Sequence, residues 1–279
     1  MKPLFQFRHL CKPPTFRRSF PTLAALIVGM LACASGVFSL STTLVWDRCL
    51  DPEVIGYRLH YGNSSRDYSS IVEVDNQTTW TLTELADGIP YFFAVTAYDR
   101  YYHQSDFSEE VSQTIYEDAE DFSTDGWDFG ALDSGGAEIR NVFDEGLQRN
   151  VIELSGIGLQ NCYRLRCKDF TDWNNANQLV LAWTMKYAEL FRVSAILATT
   201  AGNLELRYTP LDDHFLVTTS CVRFGIGTQA RDGQWHHFVR NLQADLDYAI
   251  PGAKILKVKR LLVRGSGRLT DVKLISTAP

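Results

Sequence analysis

The chain has 279 residues, 45% hydrophobic and 12% aromatic, a globular composition with enough length for two domains, which excludes a wholly disordered chain. Its net charge is −6, yet the first 34 residues hold Lys2, Arg8, Lys12, Arg17 and Arg18 and no acid, so the remaining 22 basic and 33 acidic residues leave −11. Lysine and arginine are what a phosphate backbone attracts, so nucleic acid is excluded as the expected partner.

Residues 1–34 read as an export signal. The basic lead ends in "FRRSF" and gives way to the apolar run "LAALIVGMLACA", which is too short to span a bilayer but suits the hydrophobic region of a signal peptide. Ala32-Cys33-Ala34 places small residues where signal peptidase cuts, after Ala34. Two other routes are open: Cys33 as a lipidated residue, which would tether the protein to a membrane, and Arg17-Arg18 as a twin-arginine signal. The expected location is secreted or periplasmic, with an envelope lipoprotein as the alternative. Export permits disulfides, and Cys49, Cys162, Cys167 and Cys221 allow three pairings. If Cys162 and Cys167 share one continuous strand, they point to opposite faces and cannot bridge. No Cys/His spacing for zinc occurs, and free or singly bridged thiols are expected.

From Thr43 to about Ile115, short apolar stretches alternate with turn-rich joints. "TLVW", "VIGYRLHYG", "IVEV", "TWTLTEL" and "PYFFAVTAYD" are predicted strands, and "NSSRDY", "DNQTT" and "ADGI" carry the Asn, Asp, Gly and Ser of tight turns. The first two of these strands carry Trp46 and Tyr57, and Leu85 and Tyr91 flank "ADGIP". On these residues, positions 35–115 resemble a fibronectin type III domain of the form common in secreted bacterial proteins. The resemblance implies an immunoglobulin-like sandwich, with Tyr91 at a tyrosine corner and a role as spacer or protein-contact module. Its first strand would come from "GVFSLS". Twelve acids against four arginines make this segment strongly negative, and the tyrosine-rich loop "YDRYYHQSDFS" is its stickiest surface.

The stretch "EDAEDFSTDGWDFGALDSGG" opens a second domain, positions 116–279, because Phe122, Trp127 and Phe129 are too apolar for a linker. "NVIEL", "CYRLR", "QLVLAWTMKY", "FRVSAILATT", "LELRYT", "CVRFGI", "WHHFVRNL", "ILKVKRLLVRG" and "TDVKLI" are predicted strands, and only "LQADLDYA" suggests a helical turn. Leu179, Leu181, Trp183 and Met185 alternate onto one face, with Thr184 and Lys186 on the other. The fold class is all-β, with two successive sandwiches, the second larger and of jelly-roll size.

"EDFSTDGW" and "GSGRLTDVKLI" resemble the first and last strands of carbohydrate-binding jelly rolls, and "DGQWHHF" resembles a strand of laminin-G-like and concanavalin-like sandwiches. The resemblance implies a lectin-like or enzyme-accessory module that binds a polysaccharide, a cell-surface glycan, or another envelope or secreted protein. It also implies structural calcium (Ca2+), held by Glu120, Asp121 and Asp271. The competing reading of Asp271 is simply the outward residue of its strand.

The adjacent histidines point apart on a strand: Trp235, His237 and Val239 share one face, and His236, Phe238 and Arg240 the other. They cannot clamp one metal, no GxSxG elbow accompanies them, and no two acids stand out as a catalytic pair. No catalytic residue is assigned, and His236 and Arg240 are at most ligand contacts. A sugar site needs an aromatic plate with polar groups beside it. The candidates are Trp173 with Asp172, Asn174 and Asn175, and Tyr208 with Asp212, Asp213 and His214, although core packing is the leading expectation for either ring. The basic run "KILKVKRLLVRGSGR" either binds anionic polysaccharide or forms a solvated strand face guarding an edge. Noncatalytic binding is the expected function. A polysaccharide lyase or hydrolase on a concanavalin-like sandwich and a structural envelope subunit are the alternatives.

Overall fold

The computed structural model describes residues 40–130, 136–212 and 215–276, so the export signal, Cys33 and most of "GVFSLS" lie outside the described residues, as do Asp213 and His214. The chain is all-β and divides into two units, one comprising residues up to Leu85 with Pro90–Ser112, the other Ala86–Ile89 with Gln113–Thr277. Among the described residues no helix is long and apolar enough to cross a membrane.

In the first unit, β1 (Leu40–Val45) pairs with β4 (Thr79–Leu85), and β2 (Val54–Gly62) lies between β3 (Ser70–Val74) and β5 (Pro90–Asp99), all antiparallel. Alternation dictates the core: Tyr57 and Leu59 from β2 meet Phe93, Val95 and Ala97 from β5, and Trp46 closes over them. Trp46 packs edge-on to Tyr57 at 5.8 Å, and the Tyr57 hydroxyl accepts the Cys49 N–H at 2.8 Å.

In the second unit, β6 (Val111–Glu117) contributes its residues from Gln113 on. The other strands are β7 (Trp127–Phe129), β8 (Glu138–Asp144), β9 (Arg149–Ser155), β10 (Cys162–Leu165), β11 (Val180–Lys186), β12 (Arg192–Thr199), β13 (Gly202–Thr209), β14 (Phe215–Val217), β15 (Cys221–Gly225), β16 (Trp235–Asn241), β17 (Ile255–Arg264) and β18 (Gly267–Ile275). One sheet has seven strands in the order β14-β15-β13-β12-β17-β10-β7. In the other, β11 lies between β16 and β18, and β18 pairs with β9 along its first half and with β6 along its second. The helical turn is α1 (Leu242–Ala249), capped by the Asn241 side chain, which accepts the Ala244 N–H.

The inner faces follow from period two. Leu181, Trp183 and Met185 of β11 meet Val193, Ala195 and Leu197 of β12 and Leu261 and Val263 of β17 in one core. Three strands escape the sequence pattern. β6 carries polar residues at buried positions, β8 alternates weakly, and β14 consists of three exposed apolar residues. All four described cysteines are unbridged.

Candidate functional site

The sequence-derived ligand positions do not form one site. Trp173 is buried, stacked on Tyr116 at 4.0 Å within the core, so it presents no plate to a sugar. Its neighbours Asp172 and Asn174 are polar, but the backbone hydrogen bond from Trp173 N–H to the Lys259 carbonyl turns the ring inward. Asn174 is exposed in the left-handed region, and its amide donates to the Asp172 carbonyl. Tyr208 is also a core residue. Its hydroxyl donates to Asp245 at 2.7 Å, and Arg240 lies over its ring at 5.1 Å while its Nε donates to the same carboxylate. Tyr208 and Arg240 thus meet, but as a structural clasp on α1. Asp212 accepts the Thr228 N–H and hydroxyl, ordering a turn. The histidines diverge as strand geometry requires: His236 pairs with Asp232 at 2.8 Å, and His237 Nδ1 meets the Thr184 hydroxyl at 3.0 Å.

The three residues expected to hold calcium do not share one set of contacts. Glu120 and Asp271 do converge, but on the guanidinium of Arg149, which donates to Glu120 at 2.8 Å, to Asp271 at 3.0 Å and to the Asp118 carbonyl at 3.0 Å. Asp121 turns away to Lys168 at 2.6 Å. An organic cation thus occupies the position between the two carboxylates, and among the described residues no group of three or more His, Cys, Asp or Glu side chains is arranged to hold a metal. The donor set does not fit calcium, which needs six to eight oxygens.

What register does assemble is a basic face. The solvent side of the seven-stranded sheet is the side opposite Val193, Ala195, Leu204, Leu206, Leu261 and Val263. On it, Arg192 of β12 stands directly opposite Arg264 of β17, and Arg207 of β13 directly opposite Arg223 of β15. Ser194, two residues along β12 from Arg192, pairs with both Arg207 and Leu262, so the two arginine pairs lie on adjoining strands with a one-row offset. Arg164 continues the row through Leu262, and Arg166 and Arg260 flank it. Ser194 and Cys162 are 2% and 1% exposed although they belong to this face, so the arginine stems lie across the sheet above them.

Three carboxylates answer these seven guanidiniums. Asp128 holds Arg164 and Arg166, Glu205 holds Arg207 in a two-point ion pair, and Asp172 lies 3.3 Å from Arg260. Burial works against ionisation of Asp128 and Glu205, but the hydrogen bonds from their arginines outweigh it and hold both below the ordinary carboxylate range. Arg264 donates to the carbonyls of Leu159 and Gln160, while Arg192 and Arg223 make no direct ion pair with a carboxylate among the described residues, although the charge of Glu205 reaches Arg192. Burial, then the charges of Arg207 and Arg264, depress the Arg192 pKa, and the Nε of Arg223 is buried without an acceptor. At the Arg192 end the face opens into a hollow of about 750 Å³, lined by Ile157, Gln160, Glu189, Leu190 and Arg231. The sequence signalled only one strand of this face, "KILKVKRLLVRGSGR". Lys257 is exposed there, and Arg260 and Arg264 join the face.

No family model and no curated protein sequence matches the chain. Among solved structures, an Fn3-like protein from Clostridium thermocellum aligns at 24% identity over 25% of this chain and 71% of its own, with a TM-score of 0.23. The family 11 carbohydrate-binding module of a cellulosomal cellulase from Clostridium thermocellum aligns at 15% identity over 59% of this chain and 95% of its own, with a TM-score of 0.35. An α-L-rhamnosidase from Dictyoglumus thermophilum aligns at 12% identity over 86% of this chain and 25% of its own, with a TM-score of 0.30.

Proposed function

We propose that this is an exported, noncatalytic binding protein that takes a polysaccharide or cell-surface glycan on the arginine-bearing face of its second sandwich. The first unit would serve as a fibronectin type III spacer or protein-contact module. The carrying observation is the pair of like-charged register contacts, Arg192 with Arg264 and Arg207 with Arg223, in a stretch, residues 116–279, whose 18 basic residues are outnumbered by 21 acids. Like charges directly opposite destabilise a sheet, and serine or threonine would serve the fold better. Residues kept against the interest of stability point to a ligand.

Binding without turnover is the reading the chemistry supports. The face offers donors for hydroxyl and acidic groups, and its carboxylates Asp128 and Glu205 are held ionised by arginines, whereas a glycosidase acid must keep its proton near neutral pH. The test is a glycan array probed with the full-length protein, read beside an assay for new reducing ends. Retention without product supports the proposal. Product release would establish the enzyme reading, and absence of any retention would leave the envelope-subunit reading.

A further inference from the structure

The guanidiniums form a track rather than a cluster. Arg264, Arg192, Arg207 and Arg223 stand on four successive strands, β17, β12, β13 and β15; Arg264 to Arg192 and Arg207 to Arg223 are each one strand spacing, and the step between Arg192 and Arg207 is a diagonal, because Arg207 stands opposite Ser194. That spacing is about 4.8 Å, close to the length of one pyranose unit along a linear polysaccharide. Arginine matches carboxylate and sulfate with two parallel hydrogen bonds, a geometry that a lone ammonium cannot supply. The two arginines without a direct carboxylate ion pair, Arg192 and Arg223, lie at alternate steps, and the hollow beside Arg192 adds Arg231 with the apolar Leu190 and Ile157, and Glu189, which accepts the Ser266 N–H. Guanidiniums meet charge and apolar side chains meet a ring face, which together describe a site for a charged sugar.

We infer that the ligand is a linear acidic polysaccharide, which crosses the strands of this sheet with its carboxylate or sulfate groups on Arg264, Arg192, Arg207 and Arg223. This rests on the binding reading above and specifies its substrate class. A neutral glycan would leave the repulsion between these side chains in place, whereas a polyanion relieves it on binding, so affinity is gained in proportion to the charge neutralised.

The experiment is calorimetric titration of the full-length protein with polygalacturonate, dextran sulfate and unmodified dextran, at about 50 and about 300 mM salt, since charge-driven binding falls with ionic strength. Binding to polygalacturonate, dextran sulfate or both is expected, with none to dextran and a loss of about tenfold or more at the higher salt. The arms distinguish carboxylate from sulfate as the preferred group. Arg192→Ala with Arg223→Ala is expected to weaken binding by about tenfold or more. Arg192→Lys with Arg223→Lys, which preserves charge, is expected to recover part of it, and Arg140→Ala, on the other sheet, to change nothing. Circular dichroism confirms that each variant is folded; Arg223→Gln alone, expected to weaken binding about threefold or more, replaces the double variant if that one unfolds. Salt-insensitive binding of dextran that the arginine variants abolish would overturn the acidic-ligand inference and leave the binding reading standing. Acidic-polymer binding that the variants leave intact would overturn the site. Absence of binding to all three polymers, with retention of another neutral glycan on the array, would also overturn the inference alone; silence on the array as well would overturn both.

Discussion

Arg149 reaches Asp271 across 122 residues of chain, guanidinium to carboxylate at 3.0 Å, and so ties β9 to a bulge in β18. Asp271 is in the left-handed region at φ 55°, where its side chain turns toward Arg149 in place of the regular alternation of β18. The bidentate grip of the same guanidinium on Glu120 and the Asp118 carbonyl makes it an internal cation that closes the first and last segments of the second sandwich.

Removing that cation leaves two carboxylates facing each other with no donor. Arg149→Met is expected to lower the unfolding free energy by about 1–3 kcal/mol, since partly exposed carboxylates recover some solvation. Urea unfolding measures it. Because Arg149 already fills the position, chelation is expected to leave the wild-type midpoint unchanged. A midpoint drop on chelation would show that a metal, not the guanidinium, holds this corner.

Trp173 tests whether an aromatic in a polar loop is core or contact. Trp173→Ala is expected to cost about 3–5 kcal/mol through the cavity left against Tyr116. Trp173→Phe, which keeps most of the stacking, is expected to retain glycan binding at the wild-type level. A folded Trp173→Phe protein that no longer binds would restore Trp173 as a ligand contact.

The acids under β6 set the pH dependence. Burial first, and then the charge of Asp87, push Asp118 up to about 7, and burial also pushes Glu117 well up despite hydrogen bonds from Trp127 and Ala119. A carboxyl whose folded pKa exceeds its unfolded value takes up a proton on folding. Its contribution to stability is therefore full below about pH 4 and is lost as pH rises toward 7, with a slope of up to about 1.4 kcal/mol per pH unit. Asp121, Asp128, Asp144 and Glu205 are depressed and act oppositely, losing their contribution as pH falls below about 4. Stability is expected to peak on the acidic side of neutrality. In urea unfolding at pH 5 and pH 8, Asp118→Asn is expected to narrow the difference; an equal difference in the variant would contradict the assignment.

In the first unit, a side chain at Gly56 would run into the hydroxyl and ring edge of Tyr98. Tyr98 stacks on Tyr102 and lies under Arg58, so the ring has little room to yield. Gly56→Ala is expected to cost about 1–3 kcal/mol by overpacking, read as an earlier unfolding transition. An unchanged transition would mean that Tyr98 moves freely.

The fold was legible where one strand carries its own evidence. Leu181, Trp183 and Met185 alternate into the core, and the divergence of His236 and His237 follows from period two alone. β8 and β14 were not legible because Phe143 and the run Phe215–Val217 are apolar yet exposed. The basic face was largely hidden for a different reason. Arg164, Arg192, Arg207, Arg223 and Arg264 come from five separate strands, and each alone reads as a solvated outward residue. Only register sets them side by side. For Trp173 the sequence leaves both core and contact open, because its polar neighbours describe the loop, while the direction of the ring is fixed by a backbone bond to a strand 86 positions later.

The most direct measurement is of binding and stability together in Arg192→Ala with Arg223→Ala. If the guanidinium face exists to meet a ligand, glycan retention falls by about tenfold or more while the unfolding midpoint holds or rises, because repulsion between like charges is relieved. Undiminished retention by the folded variant would contradict the account, as would a fall in midpoint large enough to explain the lost binding.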